Sequence, residues 1–182
     1  MRKINSVLSI VIIVLFLLHM IMGSLLLLGI IPYIGAIMGT LPHLLGTAIF
    51  AHIIIGAKLG IDTLYAMKKS GVGYFSENKL FWVRRISGGA VLLFMILHAS
   101  LFVRISHSGE YYPKLFDLPQ LICSILFFIS LMLHIASNIR PLVIALGAGK
   151  AETKIGSAAV ILAILLLFAA VAFIYYFVRC QL

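Results

Sequence analysis

Apolar residues fill five long runs of this chain, and most charged residues are confined to the connections between them. The runs cover about residues 4–30, 42–65, 81–105, 118–139 and 155–178. Each reaches the roughly 20 residues that an α-helix needs to cross the hydrocarbon core of a bilayer. Gly29 and Pro32 close the first run, and an uncharged connection leads to Pro42, which suits the first turn of a second helix. The second run ends in a mixed stretch with Lys58 and Asp62 near water, followed by a polar, glycine-bearing loop over residues 68–79. Arg140-Pro141 stops or kinks the fourth run. A glycine-rich stretch with Lys150 and Lys154 precedes the fifth. Arg2 and Lys3 ahead of an apolar run resemble the start of a signal peptide. That run is too long for a signal-peptide core and has no early small-residue cleavage site, so it reads as a retained spanning helix.

Composition makes the membrane reading firm. Of 182 residues 63% are hydrophobic and 10% are charged, more apolar surface than a soluble domain of this length can bury. The expectation is an all-α polytopic membrane protein, residues 1–182 forming one bundle of five transmembrane helices. The net charge of +9 would suggest nucleic acid in a soluble protein. Here the basic residues flank apolar runs, so they orient helices, and no nucleic-acid partner is expected. Arg2 and Lys3, then Lys68, Lys69, Lys79, Arg84 and Arg85, then Arg140, Lys150 and Lys154 would share the cytoplasmic side. That places the N-terminus inside and the C-terminus, with Arg179, outside, in a prokaryotic cell membrane. Cys123 and Cys180 lie far apart and offer neither an iron–sulfur cluster spacing nor a disulfide framework.

The chemistry lies in four histidines, one inside each of the first four runs. A titratable imidazole in hydrocarbon costs free energy unless something binds it. At 1.5 Å rise per residue, His19 lies roughly 24 Å beyond Lys3 and His98 roughly 20 Å beyond Arg85. His52 and His134 each lie roughly 9 Å from an inner basic residue, Lys58 and Arg140. The depths pair His19 with His98 in the outer half and His52 with His134 in the inner half. Two imidazoles facing each other at one depth suit haem iron, and also Zn, Cu and Fe generally. Small residues near them give a flat macrocycle room: Gly23 after His19, Ala48 and Gly56 around His52. Ser130, Ser137 and Asn138 share a face with His134 and are candidates to hydrogen-bond its far nitrogen. A single such histidine is as readily a packed polar residue; four paired by depth are harder to explain that way.

Further polar residues mark the edges. Arg85 and Ser87 sit where haem propionates or a quinone headgroup would lie, since Arg offers a forked donor set for carboxylates. Arg84 reads as an interfacial anchor. His43, near the outer end of the second helix, is a candidate outer ligand or quinone contact, and Arg104 mirrors Arg85 outside. His107 reads as a solvated surface histidine. Glu110, Asp117 and Asp62 are loop or interface carboxylates, with proton transfer beside an outer quinone the functional reading for the first two.

With one histidine on each of the first four helices and none on the fifth, the chain resembles the membrane anchor of the succinate dehydrogenase/fumarate reductase family. It resembles the form in which one five-helix polypeptide holds two b-type haems. Arg85-Ile86-Ser87-Gly88 is similar to the Arg-x-Ser-Gly element of related anchors. The family pairs first helix with third and second with fourth, which maps onto His19 with His98 and His52 with His134. The resemblance implies two haem b groups, menaquinone or ubiquinone as substrate, and flavoprotein and iron–sulfur subunits docked on the cytoplasmic side. It implies an electron-transfer subunit that does not itself bind succinate or fumarate. The glutamate that some diheme fumarate reductases use as a quinol proton acceptor has no match here. Three other readings stand beside it, one of them a purely structural anchor. Another is a cytochrome b anchor for a hydrogenase, formate dehydrogenase or flavoprotein reductase. The third is a haem-free transporter with a histidine relay, against which the helix cores carry no carboxylate partner and no midplane Gly/Pro breaks.

Overall fold

A computed structural model describes residues 1–32, 34–71, 79–102, 104–105, 111–112, 117–145, 147 and 152–181. The protein is all-helical, with α1 (Arg2–Leu27), α2 (Gly35–Ser70), α3 (Lys79–Phe102), α4 (Leu118–Ala145) and α5 (Glu152–Gln181). A two-residue antiparallel ribbon, Arg104–Ile105 against Tyr111–Tyr112, lies between α3 and α4. All five helices are long and apolar enough to cross a membrane. Apolar side chains line their outer surfaces, as lipid-facing helices require: Val14, Phe50, Ile96, Leu133 and Leu167 are all exposed.

Glycines end three of the helices. Gly29, Gly71 and Gly147 all have φ between 71° and 84°, the left-handed conformation in which a closing residue satisfies the last carbonyls. Ile30 N–H donates to Leu25 O at 2.9 Å, and Gly147 N–H to Ile144 O at 3.0 Å. Asp117 and Gln120 start α4 by reciprocal capping. Asp117 N–H donates to Gln120 Oε1 at 2.8 Å, and Gln120 N–H to Asp117 Oδ1 at 3.0 Å. Asp117 is therefore a helix cap, where the sequence reading made it a loop carboxylate.

Pro42 is not in the first turn of its helix, and Pro141, expected to stop or kink its helix, does not stop it. Pro42 lies within α2, which begins at Gly35, and Pro141 lies within α4, which runs on to Ala145. A helix end would leave several backbone groups to find partners, whereas a proline frees only one carbonyl. Polar side chains gather at both places. Thr40 Oγ1 donates to Ala36 O at 2.6 Å, and Thr47 Oγ1 to His43 O at 2.9 Å. At 36 residues, α2 is about 54 Å long, well beyond a hydrocarbon core of roughly 30 Å.

The packing order positions the site. α1 packs on α2, α3 packs on α4, and α5 lies against both α4 and α1, with a smaller α1–α4 contact. Neither α1 with α3 nor α2 with α4 forms a close packing face among the described residues. The core is the meeting of α1, α4 and α5: Met20, Leu166 and Ala169 are buried, with Phe16, Leu17, Phe128 and Leu162 packed around them. Arg179 Nη1 lies 3.2 Å from where a side chain on Gly29 would begin, so the C-terminal ends of α1 and α5 meet. The first residues of α1, the last of α2 and the first of α3 form the opposite end, rich in Lys and Arg.

Candidate functional site

The structure brings the four intramembrane histidines together as two pairs. His134 lies within electrostatic reach of His52, and His98 within reach of His19. All four are half-buried. Each pair joins helices that have no close packing face among the described residues, α1 with α3 and α2 with α4.

The pair nearer the basic end is bounded by hydroxyls. Ser9 Oγ on α1 lies 3.4 Å from His52 Nδ1, and Ser87 Oγ on α3 lies 3.3 Å from His134 Nδ1. Ser87 is buried. Behind it Gly88 lets the His134 ring approach the α3 backbone. A Cβ on Gly88 would stand 3.1 Å from His134 Cε1 and 3.3 Å from Nδ1, tighter than ordinary contact. The glycine of Arg-x-Ser-Gly thus makes room for a histidine on the neighbouring helix. Ser137 and Asn138, expected to meet the ring, instead donate to the carbonyl of His134, at 3.1 and 2.7 Å. Ser130 is buried. Ser9 escaped the sequence reading, because spacing along one helix does not reveal which residue of another it will face.

The second pair is walled by aromatic rings. His98 stacks on Phe127 with centroids 5.6 Å apart and planes 29° from parallel, and Phe173 of α5 lies tilted against it at 6.1 Å. Phe128 and Phe173 meet edge to face at 5.4 Å. His19 precedes Met20 of the core cluster. It stands ten residues beyond Ser9, and His98 eleven beyond Ser87. The two levels are therefore about 15 Å apart along the helix axes.

The arginines at the basic end divide their roles. Pro141 has no N–H to give to the carbonyl four residues back, which is that of Ser137. Arg84 Nε fills the vacancy in the ladder, donating to Ser137 O at 2.8 Å. Arg84 thereby fastens α3 to α4, a sharper role than an interfacial anchor. Arg85 is exposed and turns toward α2. Its guanidinium lies 4.5 Å from the Phe81 ring centroid, and its Nε is 3.0 Å from the position of a Gly60 Cβ. A guanidinium spread on a ring at a helix end is placed to meet a carboxylate or a carbonyl headgroup.

The remaining candidates lie apart. His43 is exposed and donates Nδ1–H to Gly39 O of its own helix at 2.6 Å, so its hydrogen bond draws it into neither pair. Asp62 and Lys58 are exposed on α2. Arg104 is placed in the short ribbon, with its side chain outside the described atoms. His107, Glu110, Lys114 and Lys150 lie outside the described residues, as do the side chains of Lys154 and Cys180. Cys123 is a buried free thiol.

The donor set discriminates among metals. Among the described residues no three of His, Cys, Asp and Glu gather as a metal-binding group. A structural zinc ion takes four such ligands and a catalytic one three. Two opposed imidazoles per level suit a metal whose other positions are already filled by a planar macrocycle. Gly88 lets the His134 imidazole lie against α3, and two imidazoles per level are the donor set that a haem iron takes. No protein-family model, curated protein or solved structure matches this chain.

Proposed function

We propose that the chain is a diheme cytochrome b membrane anchor, the electron-transfer subunit of a succinate:quinone or quinol:fumarate oxidoreductase. One observation supports the reading: four half-buried histidines lie within electrostatic reach of one another as two pairs at two levels. His52 with His134 would hold one haem b near the basic end, and His19 with His98 a second, about 15 Å further along the axis. Haem iron supplies a one-electron couple when bound, and the protein sets its ligands, spacing and surroundings. Phe127 and Phe173 keep water from the second level, as aromatic walls do. Arg84 holds α3 and α4 in register below the first. Arg85 is free to meet a propionate or a quinone headgroup, with Ser87 nearby.

The direction of the chain and the partners belong to the same proposal. The basic end faces the cytoplasm of a prokaryotic cell, where flavoprotein and iron–sulfur subunits dock. Membrane menaquinone or ubiquinone exchanges electrons with the site. A cytochrome b anchor for another respiratory oxidoreductase would use the same four ligands, and the soluble subunits that co-purify separate the two. The decisive experiment is a dithionite-reduced minus oxidised absorbance spectrum of detergent-purified protein, with haem per chain quantified. Two b-type haems per chain are expected. None, after haem-replete expression with native partners, overturns the proposal in favour of a histidine relay.

A further inference from the structure

Ser9 and Ser87 occupy equivalent places at the level nearer the basic end, and their hydrogen atoms can be followed. A hydroxyl carries one hydrogen, and a carbonyl carries none to offer in return. Ser9 Oγ lies 2.8 Å from Asn5 O, and Ser87 Oγ lies 3.3 Å from Arg84 O. Both are back-bonds to the preceding turn. The Ser9 bond is the shorter of that oxygen's two contacts, so Ser9 donates there. Ser87 Oγ stands equally far from Arg84 O and from His134 Nδ1, but the Arg84 carbonyl also accepts from the His134 ring, so the ring carries the hydrogen on that side. Each oxygen then has only lone pairs left for the imidazole beside it, Nδ1 of His52 at 3.4 Å and Nδ1 of His134 at 3.3 Å. Two lone pairs do not bond. The hydrogen of each contact therefore belongs to Nδ1, and a neutral imidazole has only one N–H.

The geometry points to Ser9 and Ser87 as a pair of positioning residues that fix His52 and His134 in the Nδ1–H form and leave both Nε2 atoms as the donors to one shared iron. Gly88 completes the device. With no side chain there, the Nδ1–Cε1 edge of His134 lies against α3 within reach of Ser87. The two serines come from α1 and α3, and the two histidines from α2 and α4. Each histidine is therefore oriented by a helix adjacent in sequence to its own, and all four helices converge on this level. A donated Nδ1–H also makes the imidazole a stronger donor and favours the oxidised metal. That inference rests on the haem reading of the same site, whereas the protonation of the two rings does not.

Two measurements on the full chain with its co-purifying subunits separate the claims. Redox titration with low-spin EPR of Ser9→Ala, Ser87→Ala and the double variant should move one haem to higher potential and leave the other in place. The same haem should move in both single variants and further in the double, with Ser9→Thr and Ser87→Thr restoring it. If both haems are loaded and neither moves, or the two variants move different haems, the positioning role is overturned while the diheme reading survives. The second measurement is ¹⁵N NMR of histidine-labelled protein. Nδ1–H rings are expected at His52 and His134, with mixed forms once the facing serine is removed. An Nε2–H ring at either position in the wild type overturns the inference. A haem-free chain showing both Nδ1–H rings would defeat the diheme reading and leave the serine assignment standing.

Discussion

At the basic end of the bundle, His52 and His134 rest against two hydroxyls and a bare glycine backbone. About 15 Å further along, His98 rests against the rings of Phe127 and Phe173. The first surroundings act through directed bonds, which fix the rotation of a ring and the place of its proton. The second act through shape and exclusion of water, which fix position and lower the local dielectric. One chain thus holds the same side chain in two electrical settings. On the proposed diheme reading, two identical cofactors would differ in potential without a change of ligand.

The largest expected effects test whether the two levels are separate at all. His52→Ala and His134→Ala should each reduce haem from two per chain to one and remove the same spectral component; His19→Ala and His98→Ala should remove the other. Shared loss between His52→Ala and His98→Ala would break the pairing. Next in size is Gly88→Val, whose branched side chain would occupy the space of the His134 ring. It should abolish the haem near the basic end and spare its partner. Gly89→Val, where nothing lies within 4 Å of a Cβ, should leave haem content unchanged. Phe173→Ala should lower stability in detergent by about 3–5 kcal/mol, as large-to-small core changes do, and perturb only the spectrum of the haem at His19 and His98. Arg84→Ala leaves the Ser137 carbonyl without its partner, at a cost of about 1–3 kcal/mol, read as a lower thermal midpoint with both haems retained. Smallest of all, His107→Ala should change neither haem nor stability.

Much of this architecture is readable in advance because hydrocarbon narrows the choices. Five apolar runs must be helices, and a helix of fixed rise is a ruler, so the depth of each histidine is read from its distance to a basic residue at the inner boundary. What stays hidden is rotation. Ser9, Phe127 and Phe173 reach their histidines because of the way α1, α4 and α5 turn about their own axes, and no period in an almost uniformly apolar helix records that. The prolines mislead for a different reason. In water Pro141 would be a plausible stop, since the carbonyls beyond it find solvent. Within a bundle the helix continues, and the orphaned carbonyl recruits a donor from next door. The Asp-x-x-Gln signature of the α4 cap, Asp117 to Gln120, is by contrast a local signal present in the sequence, and it bears on helix start rather than on chemistry.

The bond from Arg84 to the Ser137 carbonyl also has an evolutionary consequence. The arginine is needed there because residue 141 is a proline; any other residue would restore its own N–H to that carbonyl and leave the guanidinium redundant. Selection on the two positions is therefore coupled. Among descendants of this sequence, replacement of Pro141 should relax the constraint on residue 84, and loss of Arg84 should be tolerated best where the proline has already gone. A pair far apart in the chain would then show correlated substitution with no ligand, substrate or partner between them, and a reader of alignments would need to set that signal apart from the covariation that marks a functional site.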